Sequence, residues 1–308
     1  MSNEIGPPAA DRAAIVCCGD GYHLGRAVVA LATAGLFDPA DLFLVTPAPL
    51  PATPRPIRVL AAADMWAQLS ADGDVGPFAD GIGGHFLRYP AALWLMTVGG
   101  YHRVLYLDTD CLVLGVLDEV WAAARESGLA ACPDWSSHFP EAWRLPGEGD
   151  YRGPVTSHLL RSPPPVRRQV LELLDITFRA CRATLHLNTG VLAFSRCTPV
   201  IELLRRCVRD TVAHGGLLAQ LFNRDQDYFN PLMVAVGLRP AILDPVQFNF
   251  IGAHPDKRIV HFAALARERI THLWRPHAEL VCRAMERLRM PYKQLLTDMP
   301  VEPMCAGA

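Results

Sequence analysis

The sequence predicts an α/β protein whose central sheet is mostly parallel. Three observations carry that prediction. Short apolar, β-rich runs alternate along the chain with helix-length stretches. The clearest strand candidate, RVLYL, is apolar nearly throughout, as expected of a strand covered on both faces. A chain of 308 residues that is 51% hydrophobic and 19% charged can bury a large core and does not have the composition of a disordered one.

The elements follow in order. Residues 14–18 (AIVCC) read as a first strand, and 22–34 have helical spacing with Gly35 as the stop signal. Residues 42–46 and 57–60 read as strands separated by the proline-rich PAPLPATPRP, and 86–98 as a helix ending at Gly99-Gly100. Residues 103–107 (RVLYL) form a buried strand, 118–127 a helix opening on its own acidic cap, and 129–132 and 191–194 two more strands. A helix over 199–213 carries proline in its first turn, and a last one runs from His277 to about Arg289. The expected organisation is one catalytic domain over 1–276 and a helical tail over 277–308.

Composition excludes several function classes. Lys plus Arg total 29 against 31 acidic residues, a formal net charge of −2, so the basic excess that duplex binding needs is missing and nucleic acid is not an expected partner. Only Lys257 and Lys293 are lysines, so a phosphorylated ligand must be held by arginine, metal or backbone amides. The nine cysteines fall at irregular spacings with no C-x-x-C pair, which suits reduced thiols. Glu4, Asp11 and Arg12 interrupt the region where a secretory signal would be apolar, and the longest apolar stretch, 27–37, is too short to span a bilayer. The expectation is a cytoplasmic protein without stable membrane insertion.

Two motifs invite chemistry. GDGYHLG, between the first strand and helix, imitates a dinucleotide fingerprint but places Leu24 where the third glycine belongs, and no acidic residue ends the next strand, so it reads as a tight turn. Asp108-Thr109-Asp110 follows RVLYL directly. Two carboxylates at i and i+2 beyond a strand can reach one hard cation, and that cation can hold a diphosphate. The same spacing recurs at Asp72/Asp74 and Asp225/Asp227. What sets Asp108 and Asp110 apart is that they interrupt a long apolar run, where two like charges are costly unless a cation or donors compensate.

RVLYLDTDCLVLGVLDEVW, HLNTGVLAFSR, DQDYFN and VHF, in that order within residues 15–267, together resemble glycosyltransferase family 8, the group of glycogenin and the bacterial lipooligosaccharide galactosyltransferases. The resemblance implies a GT-A fold, a nucleotide-sugar donor that is most often UDP-linked, a manganese ion with magnesium as the substitute, and hexose transfer to a hydroxyl with retention of configuration. Residue by residue, it implies Asp108, Asp110 and His261 as metal ligands, although a lone histidine on an apolar strand is also commonly a hydrogen-bonded core residue. Mixed carboxylate and imidazole donors suit Mn²⁺ better than Mg²⁺.

It further implies that Cys18, Asp20 and Tyr22 face the base and ribose, and groups Thr109, Thr189 and Gly190 with the donor site. Asn188 would face the donor sugar, while Gly190 is also explicable by backbone conformation alone. Asp225 and Gln226 match the family's pair beside the anomeric carbon, where oxocarbenium-like charge develops; the same segment can also be read as a helix N-cap. Two departures stand out. A family lysine falls at Ala92, with Arg88 one turn earlier able to reach the same space, and the closing H-x-x-G-x-x-K reads His261, Ala264, Arg267, with Arg267 supplying the phosphate-binding charge.

The acceptor expected is a sugar, a natural product or another hydroxyl, with the aromatic-rich stretch 135–151 as its site. Two other readings stay open: a non-catalytic nucleotide-sugar-binding protein, which the altered closing motif would suit, and a metal-dependent nucleotidyltransferase, for which GDGYHLGR offers only Arg26 as the basic residue after strand one.

Overall fold

The computed structural model describes residues 12–20, 23–47, 56–71, 87–133, 164–165, 168, 172, 187–221, 225–249, 256–262 and 275–288. Among these residues seven strands form one sheet: β1 (Ala13–Cys18), β2 (Asp41–Thr46), β3 (Arg58–Ala61), β4 (Arg103–Leu107), β6 (Leu129–Pro133), β7 (Leu187–Ser195) and β8 (Ala241–Ile242), in the order β3-β2-β1-β4-β7-β6-β8. Neighbours pair in parallel except where β7 runs between β4 and β6. Two further short strands, β5 (Cys111–Val113) and β9 (Ile259–His261), pair antiparallel as a separate ribbon. The α/β class and mostly parallel sheet are as the sequence predicts.

Alternation along the strands distributes the core. Ala14, Val16 and Cys18 of β1 and Val104 and Tyr106 of β4 point to one face, and Ile15, Cys17, Leu105 and Leu107 to the other. The first face is covered by α2 (Ala62–Ser70), α3 (Arg88–Thr97), α5 (Thr198–Leu221) and α6 (Asp225–Ala235). The second is covered by α1 (His23–Phe37), α4 (Asp118–Ser127), the β5/β9 ribbon and α8 (Ala278–Arg287). A four-residue helix, α7 (Pro245–Phe248), is capped by the Asp244 carboxylate, which accepts from the Val246 amide at 2.9 Å. With helices on both faces, the strands must be apolar throughout, which is why RVLYL shows no polar alternation.

Several expectations need correction. Gly35 does not stop α1, which continues to Phe37. A Cβ there would lie 2.9 Å from Leu42 Cδ1, so glycine lets the helix approach β2 closely. Its carbonyl also accepts a hydrogen bond from Arg287 Nη1 at 2.5 Å, which ties the tail helix α8 to α1. Asp118 is not the cap of α4: Leu117 holds that position with no side-chain bond, and Asp118 sits in the first turn, where its charge complements the helix dipole. Helices α2 and α7 and strands β5 and β8 have no counterpart among the sequence-read elements, and β7 begins four residues before the expected strand.

Cys17, Cys18, Cys111, Cys132, Cys197 and Cys207 are free thiols, as expected, but Cys282 is disulfide-bonded, so the reading of all cysteines as reduced does not hold. Among the described residues, no helix is long and apolar enough to cross a membrane.

Candidate metal and donor site

The site lies at the carboxyl ends of β1 and β4, where open α/β sheets place their ligands. Strand β4 ends at Leu107 because the next peptide turns: Cys111 N donates to the Asp108 carbonyl at 3.1 Å, which throws Thr109 and Asp110 into a tight turn before β5. The Asp108 amide donates to the Gly190 carbonyl at 2.8 Å, locking the start of that turn to β7.

Asp108 lies two residues beyond Tyr106, on the same side of the strand, and accepts a 2.8 Å hydrogen bond from its hydroxyl at Oδ1. The same oxygen pairs with Arg88 Nη2 at 3.0 Å. Arg88 projects from the first turn of α3, is almost fully buried, stacks over the Tyr106 ring at 4.6 Å, and donates through Nη1 to the Thr189 carbonyl. Burial opposes ionisation of Asp108, but Arg88, His261 and Tyr106 outweigh it and hold its carboxyl well below the usual range. Arg88 thus faces the aspartate directly, one turn from Ala92.

His261 arrives from β9. Its Nε2 is 3.2 Å from Asp110 Oδ1 and 3.5 Å from Asp108 Oδ2, while Nδ1 pairs with Asn249 Oδ1 at 2.7 Å. Since the amide oxygen accepts only, Nδ1 carries a proton. Nε2 therefore faces two carboxylates and must share a cation with them, either its own proton or a metal ion. Burial lowers the imidazole pKa, but Asp110 and Asp108 reverse this and raise it to about 10. Without metal, the ring is held as imidazolium. With it, the same three side chains offer two oxygens and one nitrogen to a divalent ion, with Asn249 fixing the tautomer in the way metal-bound histidines are usually fixed. These donors fit the ion that the sequence resemblance implies.

Gly190 stands against that ring. A Cβ at this position would lie 2.0 Å from His261 Cε1 and 2.6 Å from each ring nitrogen. Its φ is not among the positive ones, so the requirement is space rather than backbone conformation. Asn188 is buried and accepts the Gly190 amide through Oδ1 at 2.8 Å, so its side-chain oxygen braces the first residues of β7. Thr189 is buried and offers its carbonyl to Arg88.

Cys18 ends β1 in the core, where burial pushes its thiol up to about 12 and keeps it neutral. Asp20 is exposed just beyond it, and Thr109 Oγ1 lies 3.4 Å from His23 Nδ1 at the start of α1. The structure thus brings together Cys18, Arg88, Asp108, Thr109, Asp110, Asn188, Thr189, Gly190 and His261 around one end of the sheet. Asp225 and Gln226 open α6. Their side chains lie outside the described residues, as do Tyr22, Ala264, Arg267 and the stretch 135–151 expected to meet the acceptor.

Three participants were missed by sequence reasoning. Tyr106 was legible, since i and i−2 share a strand face. Asn249 carried no signal, because α7 and β9 meet only through folding. Cys111 lies directly opposite His261 in the β5/β9 pairing, and its Sγ, Asp110 and His261 offer ligand atoms all within 4.8 Å of one another.

No protein-family model matches the chain, and no curated protein does. Among solved structures, the chain is similar to the galactosyltransferase LgtC in complex with donor and acceptor sugar analogues, at 18% identity and TM-score 0.43 over 84% of this chain and 94% of that one. An active-site mutant of LgtC gives 17% identity and TM-score 0.44 over the same shares. Mouse xyloside xylosyltransferase 1, in its apo form, gives 12% identity and TM-score 0.48 over 82% of this chain and 98% of that one.

Proposed function

We propose that this protein is a metal-dependent retaining glycosyltransferase of the GT-A type that moves a hexose from a nucleotide-sugar donor, UDP-linked, to an acceptor hydroxyl. One observation carries the reading. Asp108 and Asp110 converge on the Nε2 of His261, a residue about 150 positions away in sequence, whose other nitrogen is fixed by Asn249. Asp108, Asp110 and His261 would hold Mn²⁺, or Mg²⁺ in its place, and the ion's chemistry is to neutralise charge on a leaving diphosphate.

The chain's own residues do the rest. Arg88 balances Asp108 and, through the Thr189 carbonyl, ties the aspartate to the first residues of β7. Gly190 leaves room for the imidazole. Asp225 and Gln226 are assigned, from the sequence resemblance, to stand beside the anomeric carbon, where carboxylate and amide oxygens stabilise oxocarbenium-like charge. Arg267 is assigned to the donor phosphates and Asn188 to the sugar on the same ground. The neutral thiol of Cys18, with Asp20 and Tyr22, is assigned to the base and ribose.

The test is hydrolysis of nucleotide sugars in the presence of Mn²⁺. A thermal-shift screen first selects the donor, since a ligand that binds only the native state raises its melting temperature. Wild type should turn that donor over, and Asp110→Asn should lower turnover about a hundredfold or more while the far-ultraviolet circular dichroism stays that of wild type. A wild type that binds the donor without turning it over, or an Asp110→Asn variant with full activity, rejects the proposal.

A further inference from the structure

The residue after the second aspartate is a cysteine, and this adds to the site a donor that manganese chemistry does not use. Cys111 is the first residue of β5 and sits directly across from His261, the last of β9. Opposed residues of an antiparallel pair project to the same face, with Cβ atoms about 5 Å apart. Asp110 is the neighbour of Cys111, and its backbone carbonyl accepts the Phe262 amide at 3.1 Å, so the aspartate and the histidine strand are tied together one step further along. The result is a carboxylate oxygen, a thiol sulfur and an imidazole nitrogen within 4.8 Å of one another.

Asp108 stands differently. One of its oxygens is already occupied by Arg88 and Tyr106, and only Oδ2 turns toward His261. Two overlapping ligand sets therefore share Asp110 and His261. One adds the Asp108 oxygen and is hard; the other adds the Cys111 sulfur and is soft.

We infer that the site is also a zinc site, in which Asp110, Cys111 and His261 bind Zn²⁺ in place of the catalytic ion. The donor set is three protein ligands of O, S and N type, a combination that zinc accepts in tetrahedral geometry with one position left for water. Thiolate favours zinc over manganese, and zinc also stands above manganese in the general affinity order of divalent ions. Binding replaces two protons by the metal: the Cys111 S–H and His261 Nε2–H bonds break, the S–Zn and N–Zn bonds form, and both protons leave to solvent. The Sγ now lies 3.7 Å from the Gly190 carbonyl, a weak contact that zinc would replace.

The ligand set stands on geometry alone. Its consequence, that zinc excludes the catalytic ion and silences transfer, rests on the function proposed above.

The experiment uses the full chain stripped with a chelator and loaded with Co²⁺ as a spectroscopic stand-in for zinc. Wild type should show a near-ultraviolet thiolate-to-cobalt charge-transfer band, and Cys111→Ala should lose it. In competition binding, Cys111→Ala should lower the preference for Zn²⁺ over Mn²⁺ at least about tenfold. A band that persists in Cys111→Ala, or a wild type that takes up cobalt without one, overturns the inference.

Because Cys111 is buried and its replacement can impair folding, X-ray absorption of zinc-loaded wild type gives a second reading. One sulfur at about 2.3 Å supports the inference, and a shell of nitrogen and oxygen alone overturns it. Manganese uptake together with such a sulfur-free zinc shell sinks this inference and leaves the proposed function standing. Failure of the stripped protein to take up either ion sinks both.

Discussion

Replacing Gly190 by alanine tests the architecture of the site without replacing any ligand. The added Cβ would sit 2.0 Å from His261 Cε1. Carbon atoms in contact prefer separations of about 3.5–4.0 Å, so the ring must retreat by roughly 1.5 Å or β7 must bend. Neither is easy. The ring is buried and anchored by Asn249, and Gly190 is held on both sides, by its carbonyl to the Asp108 amide and by its own amide to Asn188.

A metal shell tolerates ligand displacements of only about 0.2 Å, so a shift of this size removes His261 as a donor. The expected loss of Mn²⁺ affinity is about a hundredfold or more, beyond the upper range seen when a metal ligand's supporting partner is removed. Overpacking should cost about 1–3 kcal/mol of stability, a few degrees in melting temperature, and leave the far-ultraviolet circular dichroism unchanged. Calorimetric titration of Mn²⁺ into the wild type, Gly190→Ala and Asp110→Asn reads the outcome. If Gly190→Ala binds manganese as tightly as wild type while Asp110→Asn does not, the claim that His261 is a ligand held in place by the space at Gly190 is refuted.

Three further outcomes are expected. Arg88→Met strands the Asp108 carboxylate and should cost about 3 kcal/mol in urea unfolding, with Arg88→Lys recovering less than half of that because one ammonium cannot serve both Asp108 and the Thr189 carbonyl as the guanidinium does. For the metal-free protein, the His261 pKa lies near 10 when folded against 6.5 ordinarily. Its contribution to stability is therefore complete below 6.5 and is lost as the pH rises through about 10. Chelated wild type should lose melting temperature across that window while His261→Gln does not, and Mn²⁺ binding at mid-window should expel close to one proton, read as a buffer-dependent heat. Gly128 and Gly237 both have positive φ, 84° and 69°, but a Cβ at Gly128 meets Cys197 Sγ at 2.9 Å, whereas at Gly237 it meets nothing within 4 Å. Gly128→Ala should therefore destabilise by about 1 kcal/mol more than Gly237→Ala in parallel denaturant titrations.

The sequence alone determined the elements whose signal is local. RVLYL reads as a doubly covered strand because apolar residues on both faces leave no alternation, and Asp108 and Asp110 draw attention because charge so placed demands a partner. Tyr106 belonged to the same local logic. Which partners those charges have follows from the folded arrangement alone. Arg88 comes from a helix 20 positions earlier, Gly190 from a strand about 80 later, and His261 with Asn249 from the far end of the chain. The β5/β9 ribbon that sets Cys111 opposite His261 consists of two three-residue strands, too short for any periodicity to declare. Gly35 and Gly190 show the same division: the residue type is visible in the sequence, but whether it stops a helix, permits a turn or makes room for a neighbouring side chain depends on what packs against it. Spacing along the chain specifies local geometry, whereas a coordination shell is made by residues that only the sheet's crossovers bring within reach.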